Sequence, residues 1–371
     1  MKRYDNIQLL RVLACLGVFT AHLAPKMGAQ GAVARAANFG ASGVYLFFLV
    51  SAFLACGTWS GRSLSGVPGY YLRRTFRILP LYYGVILYQF LLHTFLLKDV
   101  PPDPEGLLWL RYLLLTNAFL PGPDNFWSNL SATWTISLFL VFYLCAPFLV
   151  RTVEAGWRKR MMSNGNEEKK RRNTDSALVL RAALLYLASI LLQQLWNRSE
   201  YAGYMMCFYY LHFFLLGILV WYLARLADRW KAAAVLAGVF AAAALLLVLF
   251  FDGVPYFTGV SWFYAVILLL SMDFSWGWAE RLGERGRRAA EEVRKGLALL
   301  DRHSYAIYLV HPAVIEGLEL VMARVPLGPV AVGAAAVSLT AAGVAAAGRL
   351  IERPAALLMK RLTAGNAPAG R

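Results

Sequence analysis

Residues 11–22 read RVLACLGVFTAH, ten almost wholly apolar residues between an arginine and a histidine. They belong to an apolar run over residues 7–26, which is the length of one helix across a bilayer, since a crossing needs roughly 20 apolar residues. Of the 371 residues in the chain, 59% are hydrophobic and 16% are charged, and the mean hydropathy is +0.52. This composition excludes an ordinary soluble globular protein. The sequence therefore predicts an all-α, polytopic membrane helix bundle.

Apolar runs of similar length recur along nearly the whole chain. They predict about ten transmembrane helices, at residues 7–26, 39–58, 78–97, 134–153, 177–196, 204–224, 232–251, 255–272, 304–322 and 327–349. A shorter apolar segment, 107–120, contains Arg111 and Asn117 and predicts an interfacial or re-entrant piece. We expect residues 1–355 to form a single transmembrane domain, followed by a short basic cytoplasmic tail at 356–371.

The positive charges predict the orientation of the bundle. With the N-terminus in the cytoplasm, the loops and termini on that side carry 29 of the 37 lysines and arginines. Both termini are therefore predicted to be cytoplasmic, because cytoplasmic loops of membrane proteins are enriched in Lys and Arg. The same bias accounts for the net charge of +16 without a nucleic-acid partner, and it favours contact with anionic lipid headgroups.

Arg11 and His22 are side chains that a bilayer disfavours. Eleven helical residues make three turns and about 20°, so both side chains lie on one face, about 16 Å apart along the helix axis. An arginine at this depth costs about 2.5–3.5 kcal/mol on insertion scales, and such residues usually face the bundle interior and have a function. Taken alone, the pair is equally compatible with Arg11 reaching the cytoplasmic interface and His22 ending the span at the other interface.

Other spans also contain polar residues at membrane depth. Ser51 lies in the middle of the second span, and the sequence SYAIYLVHPAV adds Tyr305, Tyr308 and His311 to the ninth. A second intramembrane histidine favours a functional site.

A pair of arginines precedes the third span. In YYLRRTFRILPLYY, Arg74 and Arg77 are three residues apart and share a helical face at its predicted cytoplasmic end. Two guanidinium groups so placed suit a phosphorylated ligand. Without further context, the usual positive charge of cytoplasmic loops explains them better.

Five segments, in chain order, resemble motifs of the acyltransferase 3 family, bacterial membrane acyltransferases that modify surface polysaccharides and related glycans. The first is the arginine and histidine of residues 11–22, preceded by Asp5. The others are GVYLFFLVSAF with Ser51, RRTFRILPLYY with Arg74 and Arg77, SYAIYLVHP with Tyr305 and His311, and IERP with Glu352. Each motif alone is weak, but five in the right order are specific.

The resemblance implies an O-acyltransferase. The acyl group, acetyl in the simplest case, would pass from cytoplasmic acetyl-CoA or another acyl-CoA to a hydroxyl of a surface glycan or lipid-linked sugar. A neutral imidazole can take the hydroxyl proton during attack on the thioester carbonyl, and we predict this general-base role for His22. Arg11 would bind donor phosphate or polarise the carbonyl, and Arg74 and Arg77 would hold the phosphates of the coenzyme. A mechanism in which a histidine transiently carries the acyl group stays open.

Further site residues follow from the same motifs. The secondary candidates are Asp5, Ser51, Trp134, Tyr305, His311 and Glu352. Of these, we expect His311, Tyr305 and Ser51 to bind the acceptor or orient the imidazole. Acyl-CoA is a co-substrate here, and we expect no permanently bound cofactor. We also expect no metal site, since the four cysteines lie inside apolar runs without CxxC spacing.

One position departs from the family pattern. The segment WTISLFLVFYL keeps Trp134 but has Phe139 where many relatives carry a glutamate, so no role of that glutamate transfers to this chain. Some relatives continue into a soluble esterase-like domain, whereas this sequence ends at Arg371. We therefore expect the protein to act in the bacterial cytoplasmic membrane, alone or with a separate periplasmic or extracellular partner.

A transporter is the main alternative from another functional class. In that interpretation Arg11, His22 and His311 form a proton or substrate relay through the bundle. The sequence shows no internal inverted repeat and no matching pair of helices broken by Gly or Pro, which favours the enzyme.

Overall fold

The computed structural model describes residues 5–100, 106–119, 128–156, 167–199, 206–226, 228–251, 253–272, 281 and 283–364. Its α-helices are α1 (Asp5–Leu23), α2 (Gly31–Gly40), α3 (Gly43–Trp59), α4 (Val67–Leu91), α5 (Leu108–Leu113), α6 (Trp134–Val153), α7 (Glu167–Asn197), α8 (Met206–Leu223), α9 (Arg229–Phe251), α10 (Tyr256–Ser271), α11 (Gly283–Met322), α12 (Pro329–Ala347) and α13 (Arg353–Ala364). Two π-helical segments, Leu92–Leu97 and Gly348–Glu352, continue α4 and α12. The described residues form no β-strand, so the all-α prediction is confirmed.

The predicted spans coincide with long apolar helices. In the described part of the chain, nine helical stretches are long and apolar enough to cross a membrane. The span predicted at 255–272 is a shorter apolar helix, Tyr256–Ser271. Within the segment 107–120, Leu108–Leu113 form only a six-residue helix. The chain is therefore a multi-pass membrane protein, while the orientation of its termini stays a prediction.

Three of the membrane helices contain an internal proline. Pro80 lies in α4, Pro147 in α6 and Pro312 in α11. Each proline removes one backbone N–H and frees the carbonyl four residues earlier. Membrane helices tolerate this loss when side chains or neighbouring helices occupy the freed carbonyl.

The helices fall into two compact units. Unit 1 comprises residues 1–14, 42–64 and 141–301. Its most extensive contacts join α7 to α8 and α3 to α8, and α10 packs against α3 and α8. Tyr45 stacks on Phe213 with ring centroids 4.6 Å apart, and Phe142 stacks on Phe214 at 4.0 Å.

Unit 2 comprises residues 15–41, 65–140 and 302–371. A core of apolar side chains from α1, α11 and α12 lies in this unit, consisting of Phe19, Leu23, Ile315, Leu318, Val332 and Ala336. The helix α4 contacts α13 and the π-helical segment Gly348–Glu352. The first part of the predicted tail, residues 356–364, is thus helical, and residues 365–371 lie outside the described chain. That residues 1–355 form one functional domain stays a prediction.

A glycine permits a close contact between two helices of unit 1. A Cβ atom on Gly217 of α8 would lie 2.3 Å from the carbonyl oxygen of Leu49 on α3 and 2.7 Å from the Cβ atom of Ala52. Small residues at such contacts let membrane helices approach closely. The position therefore accepts no side chain unless the two helices separate.

We expect Gly217→Val to lower the free energy of unfolding by about 1–3 kcal/mol, the usual cost of overpacking. The matched control is Gly238→Val on α9, because a Cβ atom there meets nothing within 4 Å. Thermal unfolding of the purified protein in detergent compares the two variants. Equal midpoints would contradict the packing argument.

Candidate active site

Two histidines from distant parts of the chain meet in unit 2. The rings of His22 on α1 and His311 on α11 have centroids 5.2 Å apart and cross at 72°. The ring of Phe19 packs edge-on against His311 at 5.8 Å. The apolar core described above places Phe19 one turn before His22 and Ile315 one turn after His311. The contact between these hydrophobic faces therefore brings the two imidazoles together.

The orientation of His311 is set by its own helix. Its Nδ1 lies 3.0 Å from the carbonyl oxygen of Ile307. A carbonyl oxygen only accepts hydrogen bonds, so we assign the ring proton to Nδ1 and the lone pair to Nε2. The next residue, Pro312, has no backbone N–H to donate to the carbonyl of Tyr308. His311 is 1% exposed, and its buried Nε2 has no hydrogen-bond partner among the described residues. An imidazole in this arrangement can accept a proton.

A buried polar network supports the same turn of α11. The hydroxyl groups of Tyr308 and Thr135 are 3.1 Å apart, and both donate to the carbonyl oxygen of Ala132. Thr135 directly follows Trp134, the residue that the chain shares with its predicted family. The network therefore connects the start of α6 to Tyr308, which lies one turn before His311 on α11. The helix α6 is also the one in which Phe139 replaces the usual glutamate.

Tyr305 connects α11 to the helix that carries the arginine pair. Its hydroxyl donates a hydrogen bond of 2.8 Å to the carbonyl oxygen of Ile78 on α4. Arg77 is the residue before Ile78 and is exposed, and the Arg74 guanidinium lies over the ring of Tyr70 at 5.4 Å. His311 follows Tyr305 by six residues, about 9 Å of helix. Within unit 2, this contact therefore connects the helix of the arginines to the helix of the histidine pair.

Arg11 has a partner that the sequence analysis did not anticipate. In unit 1, its guanidinium Nη1 lies 3.1 Å from Oδ1 of Asp301 on α11, and both side chains are mostly buried. A paired guanidinium retains further N–H donors, so Arg11 can contact a second anion without losing Asp301. Its predicted role toward the acyl donor stays a prediction.

A second ionisable cluster of unit 2 was also missed. On α11, Glu316 accepts a hydrogen bond of 3.1 Å from Nε2 of Gln89. Its other oxygen lies 3.1 Å from Nε2 of His93, and Nδ1 of His93 lies 2.7 Å from Asp99. The sequence did contain an indication of this cluster, because Glu316 and His93 are ionisable residues inside predicted spans. With Tyr305 and Ile78 eleven residues earlier on each helix, this cluster holds α4 and α11 parallel and in register.

The remaining candidates lie on other elements or outside the described side chains. Ser51 lies half-buried on α3 in unit 1, and Glu352 ends the π-helical segment after α12. Trp134 begins α6. The side chain of Asp5 lies outside the described part of the structure. Among the described residues, no group of three or more His, Cys, Asp or Glu side chains is arranged to hold a metal ion.

Fold and site together define a multi-pass membrane protein with an intramembrane histidine pair. The model of the acyltransferase 3 family, an acyltransferase domain, matches residues 4–348. The chain belongs to this family, and the family prediction made from its five motifs is confirmed.

A curated relative adds a more distant similarity. An acyltransferase named MdmB, from Streptomyces mycarofaciens, is 29% identical over 167 residues, which are 41% of this chain and 40% of that protein. The chain thus spans about two fifths of the length of this relative. No solved structure matches the chain significantly.

Proposed function

We propose that the protein is an O-acyltransferase of the bacterial cytoplasmic membrane. It transfers an acyl group, acetyl in the simplest case, from cytoplasmic acyl-CoA to a hydroxyl of a surface glycan or lipid-linked sugar. Membership of the acyltransferase 3 family supports the class of reaction. The contact between His22 and His311 is the observation that carries the proposal, because it places two proton acceptors side by side in a membrane helix pair.

The histidine pair supplies the proton transfer that the reaction needs. His22 is the more exposed of the two rings, so it is the one that an acceptor hydroxyl reaches. As His22 takes the hydroxyl proton, the oxygen attacks the thioester carbonyl carbon and the carbon–sulfur bond breaks. The thiolate of coenzyme A then takes the proton from the imidazolium and leaves as the thiol. His311 is held by the carbonyl of Ile307. From this position it orients the ring of His22 and shares the proton that His22 has taken up.

The acyl donor enters from the arginine end of unit 2. Arg74 and Arg77 hold the phosphates of the coenzyme by charge-assisted hydrogen bonds. The hydrogen bond from Tyr305 to Ile78 keeps α4 against α11 at this level. From there the thioester arm follows about 9 Å of α11 to the histidine pair. This arrangement agrees with the predicted cytoplasmic location of the loop before α4 and of both termini.

The proposal is tested with the purified protein and radiolabelled acetyl-CoA. We expect label to move to glycans extracted from the producing cells when wild-type protein is added. Mass comparison of surface glycans with and without the protein then identifies the acceptor and the acyl group. Loss of glycan export with acylation intact would favour the transporter instead. If the protein neither bound acetyl-CoA nor transferred label, the proposal that it is an O-acyltransferase would be wrong.

A further inference from the structure

Unit 1 contains a group of buried polar side chains that the acyl transfer does not use. Gln193 of α7, His212 of α8 and Thr258 of α10 are each 0% exposed. Within the part of the chain that the structure describes, both amide atoms of Gln193, Nε2 of His212 and Oγ1 of Thr258 have no hydrogen-bond partner in the required geometry. The amide nitrogen of Gln194, beside Gln193, is likewise buried and unpartnered. Unpartnered polar groups at membrane depth lower stability, so their presence on three helices calls for a function.

Ring contacts place the three side chains at the same end of unit 1. The end of α7 meets the start of α8 where Trp196 packs against Phe208, with ring centroids 4.9 Å apart. The start of α8 meets the start of α10 where Tyr209 packs against Phe257 at 5.6 Å. The helix α7 therefore runs toward this end, while α8 and α10 run away from it.

A deeper contact fixes which faces these helices present to one another. Nε1 of Trp262 on α10 donates a hydrogen bond of 2.7 Å to the hydroxyl of Tyr186 on α7. Gln193 follows Tyr186 by seven residues and Thr258 precedes Trp262 by four, which are nearly whole helical turns. Both side chains therefore lie above this hydrogen bond, on the helix faces that carry Tyr186 and Trp262.

The third helix contributes His212 to the same group. Gln193 precedes Trp196 by three residues and His212 follows Phe208 by four, so both lie about one turn below the contact between those two rings, where α7 packs against α8. His212 is one turn beyond Tyr209 on α8, and its Nδ1 lies 3.0 Å from the carbonyl oxygen of Tyr209. This contact holds the ring by Nδ1 and leaves Nε2 available to a ligand. We name Gln193, His212 and Thr258 the unit-1 polar cluster.

The chemistry of the cluster selects a neutral ligand. The stretches 186–197, 206–223 and 256–271 contain no Asp, Glu, Lys or Arg, so no side chain in them would balance a phosphate, a carboxylate or an ammonium. An amide, an imidazole and a hydroxyl together offer donors and acceptors, and a sugar hydroxyl is both. Aromatic rings at the same end of the unit add the apolar lining of a typical ligand site.

We propose that the unit-1 polar cluster binds a neutral, polyhydroxylated ligand, a sugar unit of the acceptor glycan. The identity of this sugar as part of the acceptor rests on the proposed function, whereas the binding itself does not. Ligand hydroxyls would offer hydrogen bonds to the buried polar groups of Gln193, His212 and Thr258, for which the geometry of the described residues provides none. The ligand-free protein is therefore less stable than it would be with apolar side chains at these positions, as is common at functional sites.

The test uses Thr258→Val and Gln193→Leu, which remove the unpartnered groups. Thr258→Ser retains the hydroxyl and should behave as the wild type. The matched control is Thr340→Val on α12 in unit 2, where Oγ1 is also buried and unpartnered. The probes are the methyl glycosides of glucose, galactose, mannose and rhamnose, whose binding to the protein in detergent is measured by saturation-transfer NMR. Thermal unfolding is measured without probe.

We expect Thr258→Val and Gln193→Leu to keep or raise the unfolding midpoint and to weaken probe binding about 10-fold, as expected from the loss of one or two hydrogen bonds. Thr340→Val should bind the probes like the wild type. A lower midpoint with unchanged probe binding would mean that structural water satisfies the cluster, and it would overturn the inference. So would the absence of any probe signal with the wild type.

One further comparison separates this inference from the proposed function. His22→Ala should lose acyl transfer and keep probe binding, because His22 is not a member of the cluster. If the wild type transfers no acyl group but binds a probe through the cluster, only the proposed enzyme fails. If transfer is normal and the KM for the glycan acceptor is unchanged in Thr258→Val, only the sugar site fails.

Discussion

Replacing His22 by alanine should lower the rate of acyl transfer by about 10²- to 10⁴-fold, the usual contribution of a general base. The structural reason is that the ring contacts His311 at 5.2 Å and is the more exposed member of the pair. Binding of acyl-CoA should change little, because the variant leaves Arg74 and Arg77 in place. The measurement is label transfer from radiolabelled acetyl-CoA under single-turnover conditions.

The control for this prediction is His303→Ala, another partly buried histidine, located on α11 outside the pair. It should retain wild-type activity. His311→Gln should reduce the rate less than His22→Ala and change its pH dependence, because His311 acts through His22. A His22→Ala variant that keeps more than half of the activity would contradict the assignment of the base.

Removing both arginines of α4 should give the second large effect. For Arg74→Gln with Arg77→Gln, we expect the KM for acyl-CoA to rise by about 100-fold or more, because hydrogen bonds to charged groups contribute about 1.5–3 kcal/mol each. The rate at saturating donor should stay close to that of the wild type. The wild-type KM should also rise with ionic strength, and the variant should lose most of this dependence.

A double variant with the same loss of charge provides the comparison. Arg285 and Arg287 are exposed on the first turns of α11, in unit 1. Their replacement by glutamine should leave the KM for acyl-CoA unchanged. Equal effects of the two double variants would show that Arg74 and Arg77 act only through net charge. The proposal of a binding site at α4 would then be wrong.

The membrane helices were predictable because their signal is local. A run of about 20 apolar residues is sufficient to specify a crossing, so most span boundaries agree with the helices within a few residues. The helix α1 is continuous from Asp5 to Leu23, as the spacing of Arg11 and His22 required. The segment 107–120 was also correctly separated from the full spans, since Arg111 and Asn117 interrupt it.

The partners of the polar residues were not predictable in the same way. Asp301 lies before the predicted ninth span and gave no sign that it pairs with Arg11 in unit 1. Glu316 and His93 stood inside predicted spans, but nothing local indicates that they face each other. The unpartnered groups of Gln193 and Thr258 become visible only when the helices around them are packed.

By itself, the sequence determined the class of fold, the approximate spans and, through its motifs, the family. These properties depend on the length, composition and spacing of single segments. Only the tertiary structure decided that His22 meets His311, that Arg11 pairs with Asp301, and that Gln193, His212 and Thr258 are fully buried. The physical reason is that helix pairing depends on complementary surfaces and on close approaches such as that of Gly217 to Leu49, which no single segment encodes.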